Sequence, residues 1–233
     1  MLFRIAELNI PELSSSRLLR NADRYLLAAL SHKPGSALSP AKCAFIETDI
    51  GTATLVLYRA LQTSVADPQA WNQHWRNCAE VIRTVVHQAG ADKSTSVSTP
   101  SVGDDGDCEI LYGRAGLLYA LLFLRSSIAS DHAVGASPEI LSTISELVSD
   151  SNIQRLVDAI IVRGKTGSAF YCSESFPTES IPALMWSWHG KRYLGAAHGV
   201  GMPSLFAYNN PKFRRWCLQP VSCTFCFCVP STS

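Results

Sequence analysis

The sequence predicts an all-α protein, and three observations support that prediction. Apolar residues recur at three- and four-residue steps over most of the chain, strand-like alternation is weak, and further segments are apolar on nearly every side. At 233 residues, with 47% apolar and 17% charged residues, the composition is that of a globular protein with a sizeable core. Amphipathic helices alternate along the chain with loops and with apolar helices that begin with glycine. This pattern favours helical hairpins that form an incomplete α/α toroid.

Three segments have the periodicity of amphipathic helices. Residues 18–29 form the first, and the second begins at Asp67-Pro68 and ends at Gly90. The third begins at Ser137-Pro138 and is expected to end at Gly164. Asp or Ser followed by proline is a typical helix start, since the side chain caps the first turn and proline fits the first helical position.

Residues 51–58 and 113–124 are apolar on nearly all sides, which predicts helices that are buried on all sides. Each of these segments begins with a glycine, and we interpret the glycines as sites where two backbones approach closely. A further glycine-containing segment of this kind begins at His198. These segments are the expected inner helices of the hairpins.

The remaining structural expectations concern burial and loops. Helices should dominate residues 12–209, with Trp71 and Ile82 on inward faces. Residues 91–107 and 164–180 are rich in serine, threonine, glycine and acidic residues, which predicts surface loops.

Charge and cysteine usage narrow the functional classes. Lysine and arginine number 20 against 19 acidic residues, so the formal charge is +1 and nucleic-acid binding through bulk charge is not expected. Arg4 and Glu7 interrupt the apolar start, unlike a signal peptide, and the longest apolar run, residues 115–124, is too short for a membrane span. We therefore expect a cytoplasmic protein whose eight cysteines are reduced.

Two longer motifs give the sequence a family resemblance. Residues 109–124 read EILYGRAGLLYALLFL, and residues 186–201 read WSWHGKRYLGAAHGVG. Together, in this order and at this spacing, they resemble the eukaryotic LanC-like (lanthionine synthetase C-like) family, relatives of the bacterial lanthionine cyclases. The earlier segment ETDIG, residues 47–51, keeps one threonine and one glycine of the expected first motif. We assign residues 1–201 to the N-terminal portion of a LanC-like domain.

The resemblance implies an α/α toroid built around a zinc ion. Family members bind a thiol as a zinc thiolate and add it to a dehydroalanine or dehydrobutyrine residue, and the eukaryotic branch is associated with glutathione as the thiol donor. Zinc lowers the pKa of the thiol, and an acid must protonate the enolate that the addition leaves. The implied partners are glutathione or a protein with a dehydroamino acid, and the implied location includes peripheral association with the plasma membrane.

Four residues are candidates for this site. His198 matches the family histidine that delivers or removes the substrate proton, and Glu109 stands where bacterial relatives carry an aspartate that hydrogen-bonds that histidine. Arg114 and Lys191 would hold an anionic thiol donor. Structural alternatives stay open: His198 as a capping contact in a crowded core, Glu109 as a helix cap, and both basic residues as solvated charges.

The sequence departs from the family after Gly201. The family's zinc ligands are a cysteine in Trp-Cys-x-Gly and an adjacent Cys-His pair, whereas Trp216-Cys217 is followed by Leu-Gln and no cysteine precedes a histidine. Cys217 and the CxxCxC run at 223–228 have one zinc-like spacing, but the paired CxxC of a structural zinc site is missing. We therefore assign no metal ligand and expect no zinc cofactor in this chain.

Residues 202–233 are interpreted as a divergent tail that arises from a retained intron, a frameshift or a mispredicted gene model. Two functions remain. The chain is either a truncated LanC-like thiol-adding enzyme, inactive as encoded because the zinc-ligand half is missing, or a non-catalytic remnant that binds glutathione or a partner. A partial toroid exposes the apolar sides of its terminal helices, so we also expect self-association through that surface.

Overall fold

The computed structural model describes residues 2–8, 10–31, 38–62, 71, 73–91, 108–129, 133, 135–174, 183–188 and 191–192. The regular secondary structure of these residues is helical except for one short hairpin of strands and an isolated bridge between Ser39 and Lys42, which confirms the all-α prediction. The elements are α1 (Leu2–Glu7), α2 (Ser15–Ser31), α3 (Asp49–Leu61), α4 (Trp75–Gly90), α5 (Arg114–Ile128), α6 (Pro138–Leu147), α7 (Asp150–Glu174), β1 (Ser187–Trp188) and β2 (Lys191–Arg192).

Helix α3 is the first of the two central helices. Thr48 caps it, because its Oγ1 accepts a hydrogen bond from the Ile50 N–H at 3.3 Å and donates to the Ala44 carbonyl at 2.6 Å. Most side chains of α3 are buried, including the fully buried Leu57 and Leu61. The expectation of a buried helix over residues 51–58 is confirmed.

Helix α5 is the second central helix, and its burial is less complete than the sequence predicts. Leu117, Leu121 and Leu124 are fully buried. Tyr119, however, is 39% exposed, and Phe123 is only partly buried. These two rings form one outward stripe, so the prediction that this helix is buried on all sides is wrong for one of its faces.

Two helical hairpins lie side by side with the same orientation. Helix α3 packs against α4 and α5, and α5 packs against α6 and α7. Arg76 pairs with Glu139 at 2.7 Å, and Arg83 pairs with Glu146 at 3.3 Å. Both pairs step seven residues along α4 and seven along α6, so these outer helices run parallel. Repeated parallel hairpins are the building unit of an α/α toroid.

The inward faces of the outer helix α4 match the sequence pattern. Ile82 is fully buried, and Trp71, just before the helix, is also buried, as predicted. Trp75 completes this apolar face. Helix α4 begins at Trp75, after a turn at residues 73–74, so the predicted helix from Asp67-Pro68 to Gly90 is wrong at its start. The pair Asp67-Pro68 itself lies outside the described residues.

The third predicted amphipathic helix is two helices, α6 and α7. The break lies at Val148 and Ser149, where the Asn152 side-chain amide donates to the Glu146 and Leu147 carbonyls at 2.9 and 3.1 Å and so satisfies the end of α6. None of the described helices combines the length and the apolarity that are needed to cross a membrane.

Helix α7 also corrects the prediction at its other end. The sequence predicts a stop at Gly164 and a loop over residues 164–180, but α7 continues to Glu174. The glycines instead face a chain segment that packs against the helix, which is why a helix continues through residues that usually end one. Residues 175–180 lie outside the described part of the chain. The same holds for residues 92–107 of the predicted loop over residues 91–107.

The N-terminal helices attach to the core through α3. The predicted helix over residues 18–29 lies within α2, and its Leu26 is buried. Asp23 of α2 accepts two hydrogen bonds from the Arg59 guanidinium of α3, at 2.7 and 2.8 Å. The same guanidinium lies 5.1 Å from the centre of the Phe3 ring of α1, so one buried cation joins three helices.

Candidate functional site

The first candidate residue, Glu109, builds the turn that leads into α5. Its side chain is 5% exposed, and its Oε2 accepts a hydrogen bond from the Leu111 N–H at 2.8 Å. Its Oε1 accepts from the Tyr112 N–H, and its own carbonyl accepts from the Gly113 N–H at 3.1 Å. These N–H groups belong to the turn before α5, which begins at Arg114, so Glu109 caps that turn. The interpretation of Glu109 as a cap of the helix itself stays a prediction.

Arg114 is the first residue of α5 and is 3% exposed. Its Nε donates to the Ala89 carbonyl at 2.9 Å, in the last turn of α4. The last carbonyls of a helix have no partner inside the helix and carry partial negative charge, so a guanidinium stabilises that end. Arg114 is neither in an irregular segment nor solvated, and the interpretation as a solvated charge is wrong.

A crossover segment, residues 43–45, fastens the start of α5 to the start of α3. The Tyr112 carbonyl accepts hydrogen bonds from the N–H groups of Cys43 and Ala44, at 2.6 and 2.9 Å. A Cβ atom at Gly116 would lie 2.3 Å from the Ile110 carbonyl oxygen and 2.4 Å from the Ala44 Cβ. These distances are impossible for a side chain, so another backbone approaches closely at Gly116, the third residue of α5. The same interpretation for Gly113, which heads the segment, stays a prediction.

The first inner helix repeats this arrangement. A Cβ atom at Gly51 would lie 1.9 Å from the Phe45 carbonyl oxygen, which belongs to the same crossover segment. The two central helices therefore begin at the same end of the molecule, and both contact the crossover segment. Glu109 and Arg114 are both buried at this end.

Of the other two candidates, Lys191 lies within the described residues and His198 does not. Lys191 is exposed in β2, opposite Trp188, in agreement with the interpretation as a solvated charge. Its neighbour Arg192 lies 5.0 Å from the centre of the Tyr171 ring and so attaches the hairpin to α7. His198 lies outside the described residues, so its proposed pairing with Glu109 stays a prediction.

The residues that the structure describes do not fit a zinc site. Among them, no group of three or more histidine, cysteine or acidic side chains lies close enough together to hold a metal ion. Cys78 is buried, and burial raises its pKa to about 11, which disfavours the thiolate that binds metals. Cys217 and the cysteines at 223–228 lie outside the described part.

A groove of about 750 Å³ lies between α2, α3 and α4, away from the candidate residues. Its lining is mainly apolar, with Leu30, Ala53 and Val85 among the contributors. The Cys78 thiol lies in its wall. None of the four predicted site residues is part of this groove.

Sequence reasoning missed two features of the site region. The buried pair of Arg59 and Asp23 could have been suspected, since a charge inside an otherwise apolar helix needs a partner. The crossover segment gave no comparable signal, because its hydrogen bonds come from backbone N–H groups, which every non-proline residue carries.

Comparisons with known proteins include a match to the part of the chain that contains the four candidate residues. A family model described as "Lanthionine synthetase C-like protein" matches residues 36–214 of this chain. The Danio rerio protein named glutathione S-transferase LANCL1 is 29% identical over 92 residues, a match that covers 40% of this chain and 18% of that relative. The chain thus spans less than a fifth of the length of this relative in the match. No solved structure matches the chain.

Proposed function

Because the chain belongs to the lanthionine synthetase C-like family, we propose that it carries the proton-transfer and thiol-donor-binding part of a site for adding a thiol to a dehydroamino acid. The thiol would be glutathione, and the acceptor dehydroalanine or dehydrobutyrine in a peptide or protein. The observation that best supports the proposal is the pair of buried charges, Glu109 and Arg114, at the shared end of the two central helices.

The reaction sets the roles of the residues. The thiol sulfur forms a bond to Cβ of the acceptor, the electrons of the carbon–carbon double bond move toward the carbonyl, and the resulting enolate takes a proton at Cα. The thiol proton is released, so the addition needs no oxidant and has no leaving group. We propose His198 as the acid that protonates Cα, with Glu109 as the residue that orients it.

The fixed position of Glu109 supports this role. Its two oxygens are held by separate backbone N–H groups of Leu111 and Tyr112, so the carboxylate cannot rotate without losing a hydrogen bond. A rigid carboxylate is what an orienting partner of a histidine requires. Glu109 can therefore cap the turn before α5 and also have the proposed orienting role.

Arg114 and Lys191 are proposed to attract the carboxylates of glutathione. Arg114 is the more defined of the two, because its Nε is already fixed on the Ala89 carbonyl. Lys191 is exposed, so its contribution would be a long-range attraction that salt weakens.

We further propose that this chain has little or no turnover by itself. Thiol activation in the family relies on zinc, and the sequence lacks the Trp-Cys-x-Gly and Cys-His motifs that would bind it. The alternative is a non-catalytic remnant that binds glutathione or a partner and in which His198 has no chemical role. We place the protein in the cytoplasm, with peripheral membrane contact and self-association through exposed apolar surface as further proposals.

Calorimetric titration with glutathione, combined with mass spectrometry of a dehydroalanine peptide, tests the proposal. We expect measurable glutathione binding that weakens several-fold in Lys191→Gln and is unchanged in Lys42→Gln, a matched change at another exposed lysine. We expect almost no thioether product. Product that disappears in His198→Gln would contradict the proposed inactivity, and no glutathione binding at millimolar concentration would contradict the proposal as a whole.

A further inference from the structure

The two halves of α7 bury very different side chains. The first half buries Ile153, Leu156, Val157 and Ile160. Between residues 162 and 173, the buried residues are Gly164, Gly167 and Ser168. Glycine is a poor helix former, and a helix without a large apolar face gains little from packing. The second half of α7 therefore has little stability of its own.

A short strap, residues 184–186, covers this half of the helix. Leu184, Met185 and Trp186 are all buried. The Met185 N–H donates to the Gly164 carbonyl at 2.8 Å, and the Trp186 indole N–H donates to the Ile160 carbonyl at 3.0 Å. Both acceptors are carbonyls in the middle of a helix, so the strap can bind in this way only while the helix is formed.

The strap approaches too closely for any side chain larger than hydrogen. A Cβ atom at Gly164 would lie 2.5 Å from the Trp186 Cζ2, and one at Gly167 would lie 2.1 Å from the Met185 carbonyl oxygen. Beyond the strap, the β1–β2 hairpin makes a second attachment, where Arg192 covers the Tyr171 ring. The strap and hairpin thus follow α7 from Ile160 to Tyr171.

We propose that the second half of α7 and the strap form one local folding unit that opens and closes as a whole while the hairpin core stays folded. The second half of α7 provides the strap with the Gly164 carbonyl, and the strap provides this half with its apolar cover. The Ile160 carbonyl, which accepts the Trp186 indole N–H, lies at the boundary with the first half. The hairpin with Lys191 and the chain toward His198 continue from this unit.

Hydrogen exchange followed by mass spectrometry on the full 233-residue chain tests the proposal. In the wild type, residues 165–173 and 184–186 should exchange with the same opening constant and faster than residues 117–124 of α5. Gly167→Ala is the decisive variant. Alanine favours helix, so an independent helix would exchange more slowly, whereas the proposed unit should exchange about tenfold faster in both segments, because the strap no longer fits.

Gly90→Ala is the matched control. Its new Cβ would lie 3.4 Å from the Arg155 Cβ, which is an ordinary contact, so exchange in both segments should not change. Trp186→Phe is a milder variant that keeps an aromatic ring and removes the indole donor, and both segments should exchange about fivefold faster. Slower exchange of residues 165–173 in Gly167→Ala, loss of the strap alone, or simultaneous loss of protection in residues 117–124 would each overturn the proposal.

Discussion

Backbone crosses a helix at glycines in two regions of this protein, the start of α5 and the second half of α7. At the start of α5, Gly116 meets the crossover segment, and the next turns bury Leu117 and Leu121 completely. In α7, Gly164 meets the strap, and the buried residues that follow in the helix are the small residues Gly167 and Ser168. In the first region the large buried side chains belong to the helix itself, whereas in the second they belong to Leu184 and Trp186 of the strap. Large apolar area, more than close contact, determines how strongly a segment is tied to the rest of the fold.

The largest expected effect tests the apolar side of this comparison. Leu121→Ala should lower the free energy of unfolding by about 3 kcal/mol, because it leaves a cavity among fully buried side chains. Val162→Ala, at an exposed position in the second half of α7, should cost less than about 0.5 kcal/mol. Urea unfolding of the two variants measures both values. Equal costs would contradict the difference between the regions.

The second test concerns the crossing itself. Gly116→Ala should destabilise the protein by about 2.5 kcal/mol, because the new methyl group would overlap the Ile110 carbonyl and Ala44. The loss should appear in global unfolding, since this crossing belongs to the main core. A variant that is as stable as the wild type would show that the crossover segment can move aside.

The third test compares a buried thiol of the core, Cys78 in α4, with an exposed thiol in the second half of α7, Cys172. Burial raises the pKa of Cys78 to about 11 from its ordinary value of 9.0, so the folded protein holds this proton more tightly than the unfolded chain. The resulting stabilisation is complete below pH 9 and is lost between pH 9 and 11. By pH 11 the loss should reach about 2 kcal/mol.

Denaturant unfolding across this pH range, with Cys78→Ala as the reference, isolates the contribution of the buried thiol. Cys172 is exposed, so Cys172→Ala should keep the wild-type pH dependence. Identical slopes for the wild type and Cys78→Ala would show that the thiol is not buried in solution.

The smallest expected effect is at the turn that Glu109 caps, just before α5. Glu109→Gln keeps the shape of the side chain but removes its charge and one of its acceptors, so unfolding should become easier by about 1 kcal/mol. Glu12→Gln, at an exposed glutamate, is the control and should change the stability very little. Thermal unfolding of both variants tests whether the cap contributes to stability. A Glu109→Gln protein with the same melting temperature as the wild type would show that the charge of Glu109 does not contribute to stability.

The sequence predicted most of the core and less of the packing between segments. Periodicity placed Trp71 and Ile82 inward, and the glycine at position 51 marked a true close approach, because apolar spacing and glycine both report on local chain geometry. The length of α7 was missed, because Gly164 is tolerated only through contact with Trp186, twenty-odd residues later. A long-range contact of this kind leaves no periodic trace in the sequence.

In the candidate site, too, the sequence predicted local contacts and missed contacts between distant residues. The hydrogen bonds of Glu109 join it to Leu111 and Tyr112, two and three residues later, so both partners lie in one short stretch of sequence. The burial of Arg114 depends on the Ala89 carbonyl of another helix, so the sequence alone suggested a solvated charge. The family assignment is confirmed by the match over residues 36–214, whereas the boundary drawn at residue 201 and the role of His198 stay predictions.

The bridge between Arg59 and Asp23 has a consequence for where the protein can be shortened. The family match begins at residue 36, yet the counter-ion of the buried Arg59 is Asp23 in α2, and the ring that covers the cation is Phe3 in α1. A fragment cut at the edge of the match would keep the guanidinium inside the fold and lose both of these neighbours. Removing one partner of a buried ion pair typically costs about 3–5 kcal/mol, comparable to a large share of the stability of a small domain. The first thirty residues are therefore part of the electrostatic balance of the fold, and sequence similarity alone would misplace its physical boundary.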